Sequence, residues 1–265
     1  MSVTRSAGQV RALPPCLLRA PDPGARLRLF CFHHAGGAAS AFNAWADRLS
    51  PDIDVVPVQL PGREKRVKEA PEQSMAALLG ALDDQLDGWL DQPYALYGHS
   101  MGGLIAYEFA LARRRAGLSA PDRLLVGACA PPGSSRLADA ATLPDQALTD
   151  LLLVGAGGTD PQLLAHPEWK RWMLRLLRAD LRLVAELDRP APSRPPLPCP
   201  VEVFAGLSDT LVPRSALAAW ARTTTASHRT HWLPGGHFFH REQSARTLFF
   251  HRLDATLAAI RPVRY

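Results

Sequence analysis

Between Tyr94 and Ala110 the chain reads YALYGHSMGGLIAYEFA: an apolar run meets a helix-like run across one serine flanked by Gly98 and Gly102. So short a junction leaves no room for a loop, and the backbone must pass from strand to helix in one sharp turn. Glycines on both sides of Ser100 suit such a turn, because side chains there would collide with neighbouring backbone. The turn lifts the serine hydroxyl clear of the sheet to which the strand belongs.

The same alternation runs through the chain. Short apolar runs bounded by turn residues occur at Arg26–Phe32, Asp52–Leu60, Tyr94–Gly98, Arg123–Ala130 and Val201–Gly206, and they read as strands. Amphipathic stretches of helical length lie between them at Met75–Leu90, Leu104–Ala116, Arg214–Thr224 and Arg241–Ile260. Strand alternating with helix predicts an α/β fold with a mostly parallel central sheet flanked by helices. One region departs from it. From Asp145 to about Asp188 the pattern is helical without a strand candidate, and it ends in RPAPSRPPLPCP (Arg189–Pro200), whose six prolines make a stiff connection. A helical insertion over one end of the sheet, spanning about residues 135–195, is therefore expected within a single domain covering residues 1–265.

Composition narrows the function classes. With 47% hydrophobic and 21% charged residues, the chain has the balance of a soluble globular protein. It contains no apolar run long enough for a membrane span and no signal-peptide core, so no membrane association and a cytoplasmic location are expected. Cys16, Cys31, Cys129 and Cys199 are scattered without ligand spacing, which predicts buried free thiols and no metal site. The net charge of +5 comes with dispersed arginines and no interleaved aromatics, so no nucleic-acid platform is expected. Ala35-Gly36-Gly37 lacks the G-x-G-x-x-G pattern and any Walker lysine, which argues against a phosphate loop.

Gly98-His99-Ser100-Met101-Gly102 fits G-x-S-x-G, the nucleophile turn of the α/β-hydrolase fold. A serine hydroxyl needs a base, and the base needs an orienting carboxylate. In this fold the acid follows the serine and the histidine comes last, each after a later strand. Asp209, in FAGLSDTLVP, lies just past the Val201 strand, and His237, in HWLPGGHFFH, follows two glycines that permit a close loop. Among the other histidines, His231 lies in a candidate strand, His240 and His251 fall on the last helix, His228 suits a turn, and His33 and His34 come too early. Asp180 and Asp188 fall on the helical insertion, and the CAPPGSS that ends the fourth strand offers no carboxylate. Two oxyanion donors are expected: the amide of Met101, directly after the serine, and that of Ala35 in FHHAGGAAS after the first strand.

With these residues in place the chain resembles the type II thioesterases that accompany modular polyketide and nonribosomal peptide synthases. The resemblance spans nearly the whole length and rests on GHSMGG, FHHAGG, QLPGRE (Gln59–Glu64), LRAD (Leu177–Asp180) after GGTDPQLLAHPEW, GLSDTLVP and GGHFF. The family usually has proline where His33 stands and an acidic residue where His166 stands. The resemblance implies a lid in the insertion and hydrolysis of acyl groups from the phosphopantetheine of acyl or peptidyl carrier proteins. It implies chiefly the removal of short aberrant chains; no bound cofactor is required by the chemistry, and a monomer is expected.

The insertion carries a further pattern. EWKRWMLRLLRADLRLV (Glu168–Val184) sets Lys170, Arg171, Arg175, Arg178 and Arg182 among apolar residues at helical spacing. This reads as a packed helix with a solvated face, and some of the cations suit an acidic carrier protein. Trp169, Trp172 and Met173 belong either to the core or to an acyl channel. Three other functions use the same features: an esterase or lipase acting on oxygen esters, an acyltransferase, and a silent binding module that keeps the fold.

Overall fold

The computed structural model describes residues 12–134, 139–154, 161–188 and 194–260. In these residues, strands β1 (Leu27–Phe32), β2 (Ile53–Val58), β3 (Tyr94–His99), β4 (Arg123–Gly127), β5 (Val201–Gly206) and β6 (His228–Leu233) form one sheet in the order β2-β1-β3-β4-β5-β6. Every neighbouring pair is parallel, where the sequence predicts a mostly parallel sheet. The helices are α1 (Met75–Leu86), α2 (Met101–Arg115), α3 (Asp145–Val154), α4 (Pro161–Leu164), α5 (Pro167–Asp188), α6 (Arg214–Leu217) and α7 (Gln243–Ala258).

Strands β1 to β5 are buried along nearly their whole length, as in a sheet covered on both faces, whereas in the edge strand β6 only Leu233 is buried; alternate side chains divide between two cores. Phe30, Phe32, Leu96, Val126 and Val203 face one core with Leu82 of α1, Ile105 of α2 and Trp220. Leu29, Cys31, Tyr97, Leu125 and Phe204 face the other with Trp45 and with Phe249 and Leu253 of α7. The chain leaves β1 toward β2 on one side and leaves β3 toward β4 on the other, so the connections after these two neighbouring strands depart in opposite directions. A crevice then opens at the carboxyl ends of β1 and β3, which is where parallel sheets place their ligands.

Local signals set the helix ends. Ser74 caps α1 by accepting from the Ala77 amide at 3.2 Å. Helix α2 ends in Arg113–Arg115, whose charge suits the negative end of the helix dipole. Gly117, at φ +71°, then closes a Schellman turn: Leu118 N–H donates to Arg113 O (2.9 Å) and Gly117 N–H to Arg114 O (3.1 Å).

Some boundaries differ from those the sequence predicts. The Met75–Leu90 stretch is helical to Leu86 and continues as a 3₁₀ turn at Asp87–Trp89, where Gly88 weakens the helix. The Arg214–Thr224 stretch divides into α6 and a 3₁₀ segment at Ala218–Thr223, tightened by Thr223 Oγ1 donating to Trp220 O at 2.7 Å. The last helix starts at Gln243, so His240 lies ahead of it in a buried turn and not on the helix as expected. The Glu242 carboxylate accepts from Gly236 N–H at 2.8 Å, which ties this turn back to the loop before His237.

Helices α3, α4 and α5 all lie between β4 and β5, in the region expected to form an insertion. They share a core of their own that includes Leu148, Leu152, Leu164, Met173, Leu177 and Leu181, while Leu183, Val184 and Leu187 of α5 reach the core beside α2. Parts of the expected insertion, at 135–138, 155–160 and 189–193, lie outside the described residues; they include the start of the proline tract and of GGTDPQLLAHPEW. All four cysteines are buried and unbridged. Among the described residues no helix is long and apolar enough to cross a membrane.

A Cβ at Gly98 would meet the Gly102 carbonyl, and one at Gly102 the Phe32 carbonyl, well inside contact distance of backbone that cannot yield. Gly98→Ala and Gly102→Ala are expected to abolish folding or to lower the thermal midpoint by more than about 10 °C. Gly80, exposed within α1 with nothing near its absent Cβ, should behave oppositely. Gly80→Ala is expected to add about 0.5–1 kcal/mol in urea unfolding.

Candidate active site

Ser100 sits between the last residue of β3 and the first of α2 with φ 54° and ψ −120°, a conformation that costs a non-glycine residue on the order of 1–3 kcal/mol. Its amide donates to Gly127 O at 2.8 Å, which fixes the turn to the end of β4. The glycines at 98 and 102 let α2 start against β1, so the strained serine is held by packing on two sides.

Asp209 lies beyond β5, and its Oδ1 accepts from the amides of Leu211 (2.8 Å) and Val212 (3.1 Å). Its Oδ2 meets His237 Nδ1 at 2.9 Å. Two backbone donors and the imidazole thus fix both carboxylate oxygens, and the side chains of Asp209 and His237 are 4% and 9% exposed. Gly206 permits the approach, since a Cβ there would strike the Gly236 carbonyl of the histidine loop. His237 then reaches the cavity that Ser100 lines, together with Ala35, Leu152, Leu181, Leu211 and others. The structure therefore gathers Ser100, Asp209 and His237 at the carboxyl ends of β3, β5 and β6.

The expected oxyanion residues lie on the same side. Met101 opens α2, where a helix leaves its first amides without partners in the helix. Ala35 lines both small cavities beside Ser100, of about 50 and 40 Å³. The second is bounded by Met101, Leu104, Cys129, Leu181 and Val184 among others. A wider cleft of about 760 Å³ shares His34 with the first of them, and Gly36, Trp169, Trp172, Met173 and Arg241 are in its lining.

A group of histidines surrounds His237. His99, within the serine motif, meets His237 O through Nε2 (2.9 Å) and Tyr97 Oη through Nδ1 (3.2 Å). Nε2 is the donor to the carbonyl, so Nδ1 accepts from the tyrosine and the ring is neutral. Burial holds His99 and His34 well below the ordinary imidazole value and brings His33 and His240 down to about 3. The His237 ring thus has the Asp209 carboxylate beside it and the neutral rings of His34, His99 and His240 near it, with the Arg241 cation also acting on those rings. Of the remaining histidines, His231 bonds Glu202 at 2.7 Å and His251 is exposed.

Two features here escape prediction from the sequence. His99 looks like filler in the motif, yet it anchors the backbone of His237. Asp180, set aside as a helical carboxylate, is 1% exposed and forms a bidentate ion pair with Arg63, at 2.8 and 2.9 Å. The motifs QLPGRE and LRAD contain these two residues, but nothing in either one indicates its partner.

Sheet order, glycine-flanked serine turn and histidine–aspartate pair together define a protein of the α/β-hydrolase fold with a serine at the nucleophile position. A family model for the thioesterase domain matches residues 27–257. The chain is 33% identical to the gramicidin S biosynthesis protein GrsT of Aneurinibacillus migulanus over 82% of this chain and 84% of that one. The structure of the RedJ thioesterase of the prodiginine pathway in Streptomyces coelicolor is similar, with a TM-score of 0.80 and 39% identity over 89% of this chain and 88% of that one. The type II thioesterase BorB of the borrelidin cluster is also similar, with a TM-score of 0.75 and 31% identity over 91% and 95%. The chain belongs to the thioesterase domain family, and within it to the type II thioesterases.

The buried neutral histidines make stability pH-dependent with a definite sign. A group such as His240, lowered from 6.5 to about 3, binds protons in the unfolded chain first, so its contribution is fully present above pH 6.5 and is lost as pH falls toward 3. By about pH 5 each such group costs about 2 kcal/mol. His240 has no hydrogen-bond partner at Nδ1 among the described residues and packs among Trp45, His99 and Phe249. His240→Phe is expected to flatten the acid limb by about that amount in urea unfolding at pH 7 and pH 5.

Proposed function

We propose that this thioesterase clears short acyl groups from the phosphopantetheine thiol of acyl or peptidyl carrier proteins on polyketide or nonribosomal peptide assembly lines. One observation carries the reading: His237, hydrogen-bonded to Asp209, shares a small apolar cavity with the strained Ser100. Ser100 Oγ attacks the thioester carbonyl while His237 Nε2 takes its proton, and Asp209 holds Nδ1–H and balances the imidazolium charge. The amides of Met101 and Ala35 receive the oxyanion. Collapse of the adduct expels the thiol, which takes the proton from His237; water then enters, activated by the same imidazole, and releases the acid.

Helices α3–α5 serve as the lid of this single α/β-hydrolase domain. With them in place the cavities beside Ser100, about 50 and 40 Å³, hold only a few acyl atoms, which favours short chains. The wider cleft, whose lining mixes tryptophans with polar groups and Arg241, suits an arm that alternates methylene and gem-dimethyl groups with two amides and a hydroxyl and is anionic at its phosphate end. Arg171, Arg175, Arg178 and Arg182 recur along one face of α5, and Arg171, Arg175 and Arg182 are exposed; an acidic carrier protein fits that face. Arg178 is committed in part to Asp145, at 2.6 Å.

The test compares one acyl series presented on a carrier protein, on coenzyme A and as a simple oxygen ester. Short carrier-bound thioesters are expected to turn over fastest, with acid and not an acyl-acceptor adduct as product. Ser100→Ala should lower the rate by at least about 10³-fold and Asp209→Asn by roughly 10²–10⁴-fold. Arg171→Glu with Arg175→Glu should raise KM for carriers at low salt and leave the coenzyme A thioester unchanged. Faster turnover of the oxygen esters, or of long mature chains, would replace this reading with a general esterase or a product-release enzyme.

A further inference from the structure

The Arg63–Asp180 pair belongs to no step of the proposed chemistry, yet it is among the most buried charged pairs of the described residues, with side chains 3% and 1% exposed. Removing two charges from water is expensive, and apolar replacements of such pairs are often at least as stable, so stability alone does not account for it. Its hydrogen bonds indicate another role. Asp180 Oδ2 accepts from Arg63 Nη1 (2.9 Å) and also from the amide of Gly36 (2.8 Å). Arg63 Nη2 holds Asp180 Oδ1 (2.8 Å), Arg63 Nη1 reaches Gly37 O (3.1 Å), and Arg63 Nε reaches Pro61 O (3.2 Å). A single carboxylate thus ties together the loop after β1, the loop after β2 and helix α5.

Gly36 directly follows Ala35, and it turns the loop with φ +74°. Fixing the Gly36 amide on Asp180 and the Gly37 carbonyl on Arg63 fixes the peptide planes on the far side of Ala35. Little torsional freedom remains for the Ala35 amide beside the Ser100 cavity. We infer that Asp180 and Arg63 are positioning residues for the oxyanion hole: α5 acts through them to hold the Ala35 N–H in place for the tetrahedral intermediate. The inference rests on the Ser100 reading above. An oxyanion donor is worth about 10²–10³-fold in kcat, and a donor left in place but misaimed forfeits part of that.

Two variants test it: Asp180→Asn, nearly isosteric but uncharged, and the double variant Arg63→Met with Asp180→Leu, which replaces the ion pair by apolar volume. For each, kcat and KM on an acyl-coenzyme A thioester, the thermal midpoint, and the affinity of a boronic acid that forms a tetrahedral adduct with a serine are measured. The expected result is a fall in kcat of roughly 10–100-fold with KM within about twofold, and a boronate affinity weakened by a similar factor, at temperatures where each variant is folded. Wild-type kcat and boronate affinity in a folded variant would overturn the inference. If the double variant does not fold, Asp180→Asn assayed below its own midpoint decides by the same two readings. Ser100→Ala separates the two layers: a boronate affinity unchanged by that substitution sinks the reading of the site itself, whereas its loss beside an unaffected Asp180→Asn sinks only the positioning role.

Discussion

The structure depends on a backbone contact. Strand β3 and helix α2 pass each other at Gly98 and Gly102 so closely that neither position can carry a Cβ, and α2 rests against the carbonyl at the end of β1. This contact puts Ser100 at φ 54° and aims it out of the sheet, and the surrounding core must hold a turn that its own torsions disfavour. That core is extensive, since α2 is buried on nearly every side as far as Leu111 and the strands beside it are buried almost throughout. A similar contact, between Gly206 and the Gly236 carbonyl, brings the histidine loop to the end of β5. Site geometry and core packing are therefore one problem, solved at a few glycines.

Electrostatics completes the arrangement with little charge. Around His237 the buried rings of His34, His99 and His240 are kept neutral by desolvation, and the carboxylate bonded to it is that of Asp209. Arg241, over the Phe238 ring, adds a partly buried cation that further disfavours charge on those rings, whereas the Arg63–Asp180 pair is internally balanced and held by backbone groups.

The parallel sheet, its strands and the helical excursion between β4 and β5 are legible in the sequence because each depends on local periodicity and turn residues. The positions of Ser100, Asp209 and His237 can be expected because the fold fixes their order and each follows a strand. Other features depend on partners far away in the chain. Arg63 and Asp180 are 117 residues apart, and neither QLPGRE nor LRAD carries a periodic signal that links them. His240 looks like part of the last helix because the apolar pattern continues into it, but the Glu242–Gly236 bond holds that stretch in a turn. The division of α6 from its 3₁₀ continuation likewise reflects tertiary contacts, including Trp220 Nε1 donating to Cys129 O at 2.8 Å.

The most direct measurement is stoichiometric reaction with a fluorophosphonate, with the modified peptide mapped by mass spectrometry and thioesterase activity followed in parallel. One label per chain is expected on Ser100, with activity lost in proportion to labelling and the reaction strongly slowed in His237→Ala. Full activity in protein whose Ser100 is completely modified, or an active enzyme whose Ser100 never reacts, would contradict a serine nucleophile at this turn.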